Sequence, residues 1–419
     1  MAGVMKDSEV EWIGEIPEGW DISKVKYVGR YINGYAFKPD QWGQDGLPII
    51  RIQNLSGSSK SINYFDGKIS DDYLIDDGDI LISWSATLDA FIWNYGKGWL
   101  NQHIFKAIPN VQKIHKSYFF HLMKIAMLNM SSDKHGSAMQ HVTNQIFGNF
   151  QVPLPSLSEQ KLIADFLDEK CAEIDRLSED IQKQIDILND YKKAVIYKAL
   201  TGGLSNKNIL DTSDGVWKTI PESWSLVDIK YLFEIVKRIA GKEGYDVLSV
   251  TQSGLKVKDI TSGEGQLADD YSKYQLVYPT DYVMNHMDLL TGWVDLSDKT
   301  GVTSPDYRVF RLRDKKNNSL EYFKYVMQCC YMNRIFYSLG QGVSNLGRWR
   351  LQTSAFNNFK IPVPPLNEQN DIVRRLTEII SDTDRSIELK EKQLEKIVDY
   401  KKSIIYEYTT GKKRVKGEL

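Results

Sequence analysis

The segment FGNFQVPLPSLSEQ, residues 147–160, returns as FNNFKIPVPPLNEQ at residues 356–369. Each copy leads into a long run of charged and apolar residues, and the runs close as DYKKAVIYKALTG at Gly202 and DYKKSIIYEYTTG at Gly411. The second copy lies 209 residues after the first throughout, since 369 minus 160 and 411 minus 202 give the same number. Loops tolerate insertions, whereas a helix in register with a partner does not, so the constant length predicts a helical rod in each half.

The repeat extends beyond the rods into the segments that precede them. IPEGW around Trp20 matches IPESW around Trp224, and Tyr118 aligns with Tyr322, both at a distance of 204 residues (224 minus 20 and 322 minus 118). Before the rods the second half is longer by 5 residues, the difference between 209 and 204. The two halves are therefore expected to share a frame and to differ in their loops, as two domains that recognise different targets would.

Each half also contains short apolar runs separated by Gly, Asp and Asn, which are typical of strands. One amphipathic helix is predicted in each half, over residues 115–130 and 319–339. We expect a mixed α/β (α+β) fold with two globular domains and long helices. The predicted strands lie within residues 47–55, 79–85, 100–108, 246–250, 281–287 and 307–312.

Apolar residues in both rods recur at heptad spacing, which predicts that each rod packs along another helix. Roughly 40 residues make a helix about 60 Å long. The economical arrangement is a long antiparallel two-helix coiled coil that separates the globular domains, with an approximate twofold axis. Lys170, Gln184, Thr383 and Lys390 interrupt the pattern, so part of each helix is expected to face another surface. The predicted coiled-coil residues are Leu167, Ile174, Leu177, Ile181, Leu188, Val195, Leu376, Ile380, Ile387, Leu394, Ile397 and Ile404.

These patterns divide the chain into four segments. The Pro-rich pieces before the rods cannot lie inside a helix and are expected to fix the direction in which each rod leaves its domain. Ser158 and Asn367 are the predicted N-caps. The segments are a first globular domain (1–155), a central long helix (156–203), a second globular domain (204–364) and a C-terminal long helix with a basic tail (365–419).

The composition is that of a folded protein, with 42% hydrophobic and 26% charged residues. No apolar run is long enough to cross a bilayer, and the polar start lacks the apolar core of a secretion signal, so we expect a cytoplasmic protein without a membrane partner. Cys171, Cys329 and Cys330 lack metal-ligand spacing and are expected in the core. The net charge of −2 means that contact with nucleic acid would need local positive charge or help from partner subunits.

Motifs of several enzyme classes are missing from the sequence. It has no Asn-Pro dipeptide, which an adenine methyltransferase motif needs, and no Gly-rich phosphate loop of an NTPase, and its 6 histidines lack metal-ligand spacing. We therefore predict no catalytic residue and no metal site. Two alternatives stay open: a two-lobed coiled-coil adaptor that holds protein partners, which the near-neutral charge favours, and a self-contained nuclease or methyltransferase, which the missing motifs oppose.

The duplicated motifs resemble those of the specificity subunit of type I restriction-modification enzymes, and the resemblance covers essentially the whole chain. It implies two target recognition domains that each read one half of a bipartite, asymmetric DNA sequence with a fixed gap. It further implies that the helices act as a spacer and bind two methyltransferase subunits, which two motor-nuclease subunits join for restriction. S-adenosylmethionine would be bound by the methyltransferase partners, with no cofactor in this chain. The residues that carry the resemblance are Pro153, Pro155, Glu159, Gln160, Tyr191, Thr201 and Gly202, and Pro362, Pro364, Glu368, Gln369, Tyr400, Thr410 and Gly411.

Candidate DNA contacts were selected by residue type, since Arg, Lys, Asn and Gln read base edges and Arg, Lys, Ser and Thr bind phosphates. Arg51 and Arg348 are favoured as cations beside apolar or aromatic residues, although an ion pair of Arg51 within its own domain is an equal alternative. For each candidate the alternative is a solvated loop residue. The candidates are Arg51, Gln53, Asn54, Ser83, Ser85, Gln102, Ser137 and Gln140 in the first half, and Asn285, His286, Lys299, Thr303, Ser304, Asn345, Arg348 and Arg350 in the second.

Overall fold

The chain divides into two compact units. The first unit comprises Met1–Gln182 and Lys392–Leu419, and the second comprises Lys183–Glu391. The boundaries fall inside both rods, so each unit contains a part of each long helix. The computed structural model describes residues 4–132, 142–202, 208–260, 268–342 and 349–415.

The elements that begin in the first unit are strands, short helices and the first rod. The strands are β1 (Met5–Asp7), β2 (Glu15–Pro17), β3 (Asp21–Lys24), β4 (Gly29–Asn33), β5 (Leu47–Ile50), β6 (Asn63–Phe65), β7 (Leu74–Ile75), β8 (Ile80–Ser83), β9 (Asp89–Ile92), β10 (Gly98–Leu100), β11 (Ile104–Pro109) and β12 (Gln151–Leu154). The helices are α1 (Val25–Val28), α2 (Ile52–Leu55), α3 (Lys116–Ser132), α4 (Asn144–Asn149) and α5 (Leu157–Leu200), with 3-10 turns at Pro39–Gln41 and Asp71–Tyr73.

The second unit continues the same numbering. Its strands are β13 (Ile209–Asp211), β14 (Thr219–Pro221), β15 (Ser225–Asp228), β16 (Phe233–Val236), β17 (Leu248–Thr251), β18 (Gly254–Val257), β19 (Gln275–Val277), β20 (Tyr282–Met284), β21 (Val294–Leu296), β22 (Gly301–Thr303), β23 (Arg308–Leu312) and β24 (Lys360–Val363). Its helices are α6 (Ile229–Leu232), α7 (Leu320–Met332), α8 (Ile335–Ser338), α9 (Thr353–Asn358) and α10 (Leu366–Thr409). The rods α5 and α10 are each 44 residues long, as the constant repeat length predicts.

Both units contain the same set of elements, which we call the frame. It consists of an antiparallel four-stranded sheet, in the order β4-β11-β8-β9 or β16-β23-β20-β21, together with the ladders β1-β2 and β3-β12 or β13-β14 and β15-β24 and the helix α3 or α7. The remaining strands, which we call the outer strands, differ. In the first unit they form one sheet, β6-β5-β10-β7, and in the second they form two pairs, β17-β18 and β19-β22, which a single parallel bridge between Val247 and Val302 joins in the corresponding order.

The central strands of the frame are buried on both faces, which explains their continuous apolar sequence. Ile80 and Ile82 of β8 point into the core that contains α3, whereas Leu81 between them joins Ile50 and Ile75 of the outer strands. The second unit repeats this alternation, with Tyr282 and Met284 in the α7 core and Val283 among the outer strands. The frame therefore supports the outer strands on the face that lies away from its helix.

The three cysteines lie in the interior, as the sequence predicts. Cys171 is buried in the core of the first unit, and Cys329 and Cys330 are buried in that of the second. Burial raises the pKa of Cys171 to about 11 and that of Cys329 to about 12. These thiols are therefore protonated near neutral pH, which fits a packing role.

Some predicted elements are interrupted by short-range geometry. The strand predicted over 47–55 ends at Ile50 and continues as helix α2, and Asn54 Oδ1 accepts the Arg51 N–H at 3.0 Å across this turn. The strand predicted over 100–108 is broken at His103, whose φ is 72°. The helix predicted over 319–339 is two helices, α7 and α8, because Arg334 adopts a left-handed φ of 54° between them. Asn and His are among the residues that favour such turns.

The predicted N-caps of the rods are wrong by two residues. α5 begins at Leu157, and Ser156 Oγ accepts the Glu159 N–H at 3.3 Å, so Ser156 takes the capping role predicted for Ser158. α10 begins at Leu366, which places Asn367 inside the first turn, after Pro365. A Pro directly before a helix supplies no N–H that would need a partner.

The two rods run antiparallel within each unit. In the first unit Phe166 stacks near Tyr408, with ring centroids 4.4 Å apart, and Asp175 pairs with Lys401 at 2.6 Å. In the second unit Lys390 donates to Gln184, and Lys192 pairs with Asp384 at 2.6 Å. In these contacting pairs the residue number rises along α5 as it falls along α10, so the two helices are antiparallel.

The predicted coiled-coil residues are buried to different extents. Leu177 is 50% exposed. The buried residues of this helix that follow the alternating three- and four-residue spacing of a coiled coil are instead Cys171, Ile174, Ile181 and Ile185. Thr383 was predicted as an interruption, yet it is buried, and its hydroxyl donates to Ile379 O at 2.7 Å. Of the other predicted residues, Leu167, Ile174, Ile181, Leu376, Ile387 and Ile404 are buried, and Leu188, Val195, Ile380, Leu394 and Ile397 are half-buried.

Candidate nucleic-acid interface

The Gln of each repeated Glu-Gln motif fastens the start of a rod to its unit. Gln160 is fully buried, its Oε1 accepts the His115 N–H at 2.7 Å, and its Nε2 donates to Pro155 O at 2.8 Å and to Lys113 O at 3.1 Å. Gln369 is also fully buried, and it accepts from the Ser319 N–H at 2.8 Å. It donates to Pro364 O at 2.9 Å. The motif is therefore a structural joint between a rod and the loop before α3 or α7.

The Gly of each repeated Thr-Gly motif fastens the end of a rod. Gly202, with φ of +81°, lies against the ring of Pro221 in the second unit, and Gly411, with φ of +73°, lies against Pro17 in the first. A Cβ at either position would clash with the proline ring, and an L side chain is also strained at these φ values. Both motifs that carry the resemblance in sequence therefore hold the rods in position, which leaves recognition to other residues.

Arg51 lies at the start of helix α2, beside the outer strands of the first unit. Its guanidinium donates to Asn63 Oδ1 at 2.5 Å and lies over the Trp42 ring, 5.0 Å from the centroid. Among the described residues no carboxylate pairs with it, so the ion pair considered from the sequence is not formed. Asn54 is occupied within its own turn, since its Nδ2 donates to Ser61 O at 2.9 Å. Gln53 is half-buried.

The other first-unit candidates are placed differently. Ser83 is fully buried in β8, its hydroxyl donates to Thr87 O, and it accepts the Asp89 N–H at 3.3 Å. This internal role removes Ser83 from the candidates, because its hydroxyl is already engaged in hydrogen bonds within the unit. Ser85 and Gln102 are half-buried. Ser137 and Gln140 lie outside the described residues.

A groove of about 710 Å³ in the first unit lies between the outer strands and helix α3. Lys60 and Tyr95 line it, and Tyr95 is 81% exposed. Lys124 also lines it and pairs with Asp89 at 2.9 Å. Exposed aromatic and cationic side chains together are suited to contact nucleic acid, because they combine stacking with attraction to phosphate. Asn54 is the predicted candidate that contributes to this groove.

The second unit has a polar groove of about 420 Å³ at its outer strands. It brings together the predicted candidates Asn285 and Ser304, with Lys258, Tyr271 and Tyr307 beside them. These residues come from segments far apart in sequence. The groove is therefore a surface that only the folded unit creates.

Two other described candidates of the second unit, Thr303 and Lys299, do not line this groove. Thr303 is fully buried and its hydroxyl donates to Leu248 O at 3.0 Å, so it is removed from the candidates for the same reason as Ser83. Lys299 lies 3.7 Å from its neighbour Asp298 in an exposed ion pair. Asn345 and Arg348 lie outside the described residues.

His286, Arg308 and Arg350 form a cluster at one end of the sheet, in which the two arginines carry the positive charge. Burial, followed by the positive charges of Arg308 and Arg350, lowers the pKa of His286 to about 3. Burial, with Arg350 also contributing, lowers the pKa of Arg308 to about 10. His286 and Arg350 were predicted from the sequence, and Arg308 was missed. Its signal in the sequence is an arginine on the inward face of β23, two residues before the buried Phe310.

Comparison with known proteins identifies the family. Two matches to one family model, described as the type I restriction modification DNA specificity domain, cover residues 17–186 and 221–398. The chain belongs to this family. It therefore has two DNA-specificity domains and recognises DNA sequence as the specificity subunit of a type I restriction-modification system.

Known specificity subunits are similar to this chain along most of its length. The chain is 28% identical over 424 residues to the MjaVIII specificity subunit of Methanocaldococcus jannaschii, covering 96% of this chain and 95% of the relative. It is 24% identical over 397 residues to the EcoBI specificity subunit of Escherichia coli, covering 90% and 83% respectively. A solved chain from work on the assembly and conformational transition of the type I R-M system shares the fold, with a TM-score of 0.59, 14% identity and coverage of 94% and 98%.

Two further findings concern the described residues. Within the described ranges, no helix combines the length and the apolar character that a bilayer crossing requires. Among the same residues, no group of three His, Cys, Asp or Glu side chains is arranged to hold a metal ion.

Proposed function

We propose that each unit of this specificity subunit reads one half of a bipartite, asymmetric DNA site, and that the rods fix the gap between the halves. The duplication carries this proposal. Each unit holds a complete frame and most of one match to the DNA-specificity family model, whereas the outer strands differ between units. Two linked readers also bind more tightly than one, since the first contact holds the second reader near its half-site.

Local positive charge supports DNA contact in spite of the net charge of −2. Arg51 and Lys60 beside the first groove have no carboxylate partner among the described residues, and neither has the exposed Arg350 in the second unit. Cations without a partner are available to phosphate, whereas paired ones first have to lose their carboxylate. Positive charge without a carboxylate partner among the described residues is therefore present in both units.

The rods are the proposed docking surface for two methyltransferase subunits. Large apolar side chains on them remain exposed, among them Leu177 at 50% and Tyr400 at 57% in the first unit and Ile187 at 66% and Tyr191 at 50% in the second. Apolar residues repeated along a helix face are typical of a contact with a protein partner. Two motor-nuclease subunits complete the complex for restriction. The methyltransferases bind S-adenosylmethionine and carry out the chemistry, and this chain, cytoplasmic like them, is not catalytic.

The site-reading role is tested by mapping modified bases. The chain is expressed with its partner methyltransferase in a host that lacks other DNA methylation, and methylated adenines are mapped across the genome. We expect one sequence motif made of two short halves with a constant gap. Scattered methylation, or a motif with only one half, would rule out the bipartite reading.

The docking role is tested with two variants related by the repeat. Tyr191→Lys and Tyr400→Lys place a charge at equivalent positions of the rods, and each should weaken binding of the methyltransferase at least tenfold, because burying a lysine at an apolar contact is unfavourable. Tyr95→Lys is the matched control, since Tyr95 is 81% exposed and lies on neither rod. Unchanged assembly of both rod variants would place the methyltransferase elsewhere.

A further inference from the structure

The two units differ chemically at one equivalent position of the frame. Trp84 follows β8 and its carbonyl accepts the Val142 N–H at 3.0 Å. His286 follows β20 and its carbonyl accepts the Leu351 N–H, also at 3.0 Å. Val142 and Leu351 are related by the repeat, since 351 minus 142 is 209. His286 therefore occupies in the second unit the place that Trp84 occupies in the first.

The neighbouring strand shows the same exchange. Phe105 of β11 packs on Phe147, with ring centroids 4.9 Å apart. Arg308 of β23 lies over Phe356, 4.5 Å from the ring centroid. The two supporting rings are again equivalent, since 356 minus 147 is 209. An arginine thus replaces a phenylalanine on the same aromatic support.

The first unit fills this position with stacked aromatic rings, whereas the second places two polar side chains there. Trp84 stacks on Phe105 at 5.8 Å in the first unit. Arg308 and His286 are 4% and 7% exposed in the second. Arg308 donates from one nitrogen to Leu351 O at 3.2 Å, but its other terminal nitrogen, Nη1, and His286 Nδ1 are buried and have no hydrogen-bond partner among the described residues. Buried polar atoms without partners are rare and call for an explanation such as a bound ligand.

The surroundings favour an anion as that ligand. Arg350 is exposed, and its backbone is held by two hydrogen bonds with Gln341, at 3.0 and 3.2 Å. Its charge acts on both His286 and Arg308. Among the described residues no carboxylate pairs with any of the three. Tyr331 beside Arg308 donates its hydroxyl to Asn285 O at 2.8 Å, and burial holds its pKa well above the usual range, so it supplies no negative charge.

We propose that His286, Arg308 and Arg350 form a binding site for one phosphate-type oxyanion in the second unit, and that Trp84 and Phe105 remove this site from the first. The oxyanion would accept from the unpartnered nitrogen atoms and would bridge two guanidinium groups that otherwise repel each other. Where the oxyanion is a phosphate of the DNA backbone, the inference rests on the proposed function. Where it is free phosphate, the site exists independently of DNA.

The first arm of the test uses inorganic phosphate and the full-length chain without DNA. Thermal unfolding is followed at increasing phosphate, with sodium chloride keeping ionic strength constant. The wild type should gain Tm along a saturable curve. Arg350→Gln and Arg308→Met should lose this gain. Arg311→Gln should keep it, because Arg311 lies on the same strand, is exposed and already pairs with Glu234 at 3.0 Å. If Arg308→Met does not fold, the exposed Arg350→Gln decides.

The second arm measures DNA binding by the complex with the methyltransferase as salt is varied. If the oxyanion is a DNA phosphate, Arg350→Gln should reduce the slope of log K against log salt by about 0.9 and weaken all sites equally, because phosphate contacts carry no sequence information. An unchanged slope together with a phosphate-dependent Tm supports the site and assigns it to free phosphate.

If phosphate does not raise the Tm of the wild type along a saturable curve, the proposal is overturned. A phosphate effect of equal size in Arg350→Gln would overturn it too, because excluded-salt stabilisation acts on any folded chain. A changed salt slope without any phosphate effect would mean a single surface contact of Arg350, and it would also overturn the built site. Failure of the proposed function is distinguishable, since the wild-type complex would then bind no specific DNA in the second arm.

Discussion

The joints that hold the rods are the same in both units, whereas the outer strands are not. Gln160 and Gln369 make equivalent hydrogen bonds, and Gly202 and Gly411 pack on equivalent prolines. The outer strands form one continuous sheet in the first unit and two pairs joined by a single bridge in the second. The difference separates two tasks. In the proposed function, the frame and its joints place a reading surface, and the outer strands determine what that surface binds.

The largest effect is expected from changing the length of the rods without changing either unit's outer strands. Seven residues inserted after Gln182 in α5 and seven after Glu391 in α10 add one heptad to each rod and keep the apolar residues of the two rods in register. If the rods set the gap, it should grow by about 10 Å, or about 3 base pairs, while both half-sites keep their sequences. Methylation mapping gives both quantities, and an unchanged gap would show that the rods do not measure it.

An insertion in α5 alone serves as the control for rod length. It shifts every apolar contact between the rods beyond the insertion, so the chain should lose stability and fail to assemble with the methyltransferase. A lengthened gap in this variant would mean that pairing of the rods is dispensable.

The next largest effect should follow loss of the buried glutamines. Gln160→Met and Gln369→Met leave several backbone groups without partners, and each should lower the free energy of unfolding of its own unit by about 3 kcal/mol. Hydrogen exchange of the α3 and α7 amides reports each unit separately. Gln112→Met is the control, since Gln112 is exposed and should change stability by no more than about 0.5 kcal/mol. Losses of very different size would show that the joints are not equivalent.

A smaller loss is expected at the glycines that end the rods. Gly202→Ala and Gly411→Ala combine a strained φ with a clash on Pro221 or Pro17. Gly241→Ala and Gly57→Ala are matched controls, because these glycines have φ of +71° and +72° and nothing within reach of an added Cβ. The rod-end variants should be about 2 kcal/mol less stable than their controls by urea unfolding. Equal stability within either pair would remove the proline contact as the reason for glycine.

The smallest effect concerns a contact that differs in charge between the units. In the first unit His121 Nε2 lies 2.7 Å from Asp168, while in the second Tyr325 and Thr377 make the equivalent contact at 3.3 Å with hydroxyl groups. The hydrogen bond from His121 lowers the pKa of Asp168. A lowered carboxyl pKa stabilises the fold above the unfolded value, about 3.9, and this contribution is lost as pH falls through the folded value.

Asp168→Asn therefore tests the pH dependence. The wild type should be more stable than this variant at pH 6, by no more than about 1 kcal/mol because Asp168 is 52% exposed, and the difference should shrink as pH falls below about 4. Thr377→Val in the second unit should show no such trend. Urea unfolding at several pH values measures both, and a difference for Asp168→Asn that grows towards low pH would contradict the assignment.

The sequence predicts features that repeat or that have a short period. The duplication follows from the repeated motifs. Patterns within a few residues of each other predict the rods, the frame strands and the α3 and α7 segments. Leu177 was misplaced because heptad counting from one stripe does not identify the second stripe, which contains Cys171 and Ile185. The break at Arg334 was missed because its left-handed φ leaves no strong sequence signal at an arginine.

The binding surfaces are harder to predict because they depend on contacts between distant segments. Ser83 and Thr303 have residue types suited to phosphate, yet both are buried and donate to backbone carbonyls. Arg308 was missed for the opposite reason, since a cation within an apolar strand indicates a ligand only when its unpartnered nitrogen atom is known. Residue type alone does not report exposure or hydrogen-bond partners.

The division of the chain into units also orders its biosynthesis. The second unit is one continuous stretch, Lys183–Glu391, whereas the first needs Lys392–Leu419 in addition to Met1–Gln182. On the ribosome the unit that starts first therefore finishes last, because Tyr118 must wait for the carbonyl of Thr409, to which its hydroxyl donates at 3.0 Å. A nascent chain that is halted before the final turns of α10 are made would carry a complete second unit and an incomplete first unit.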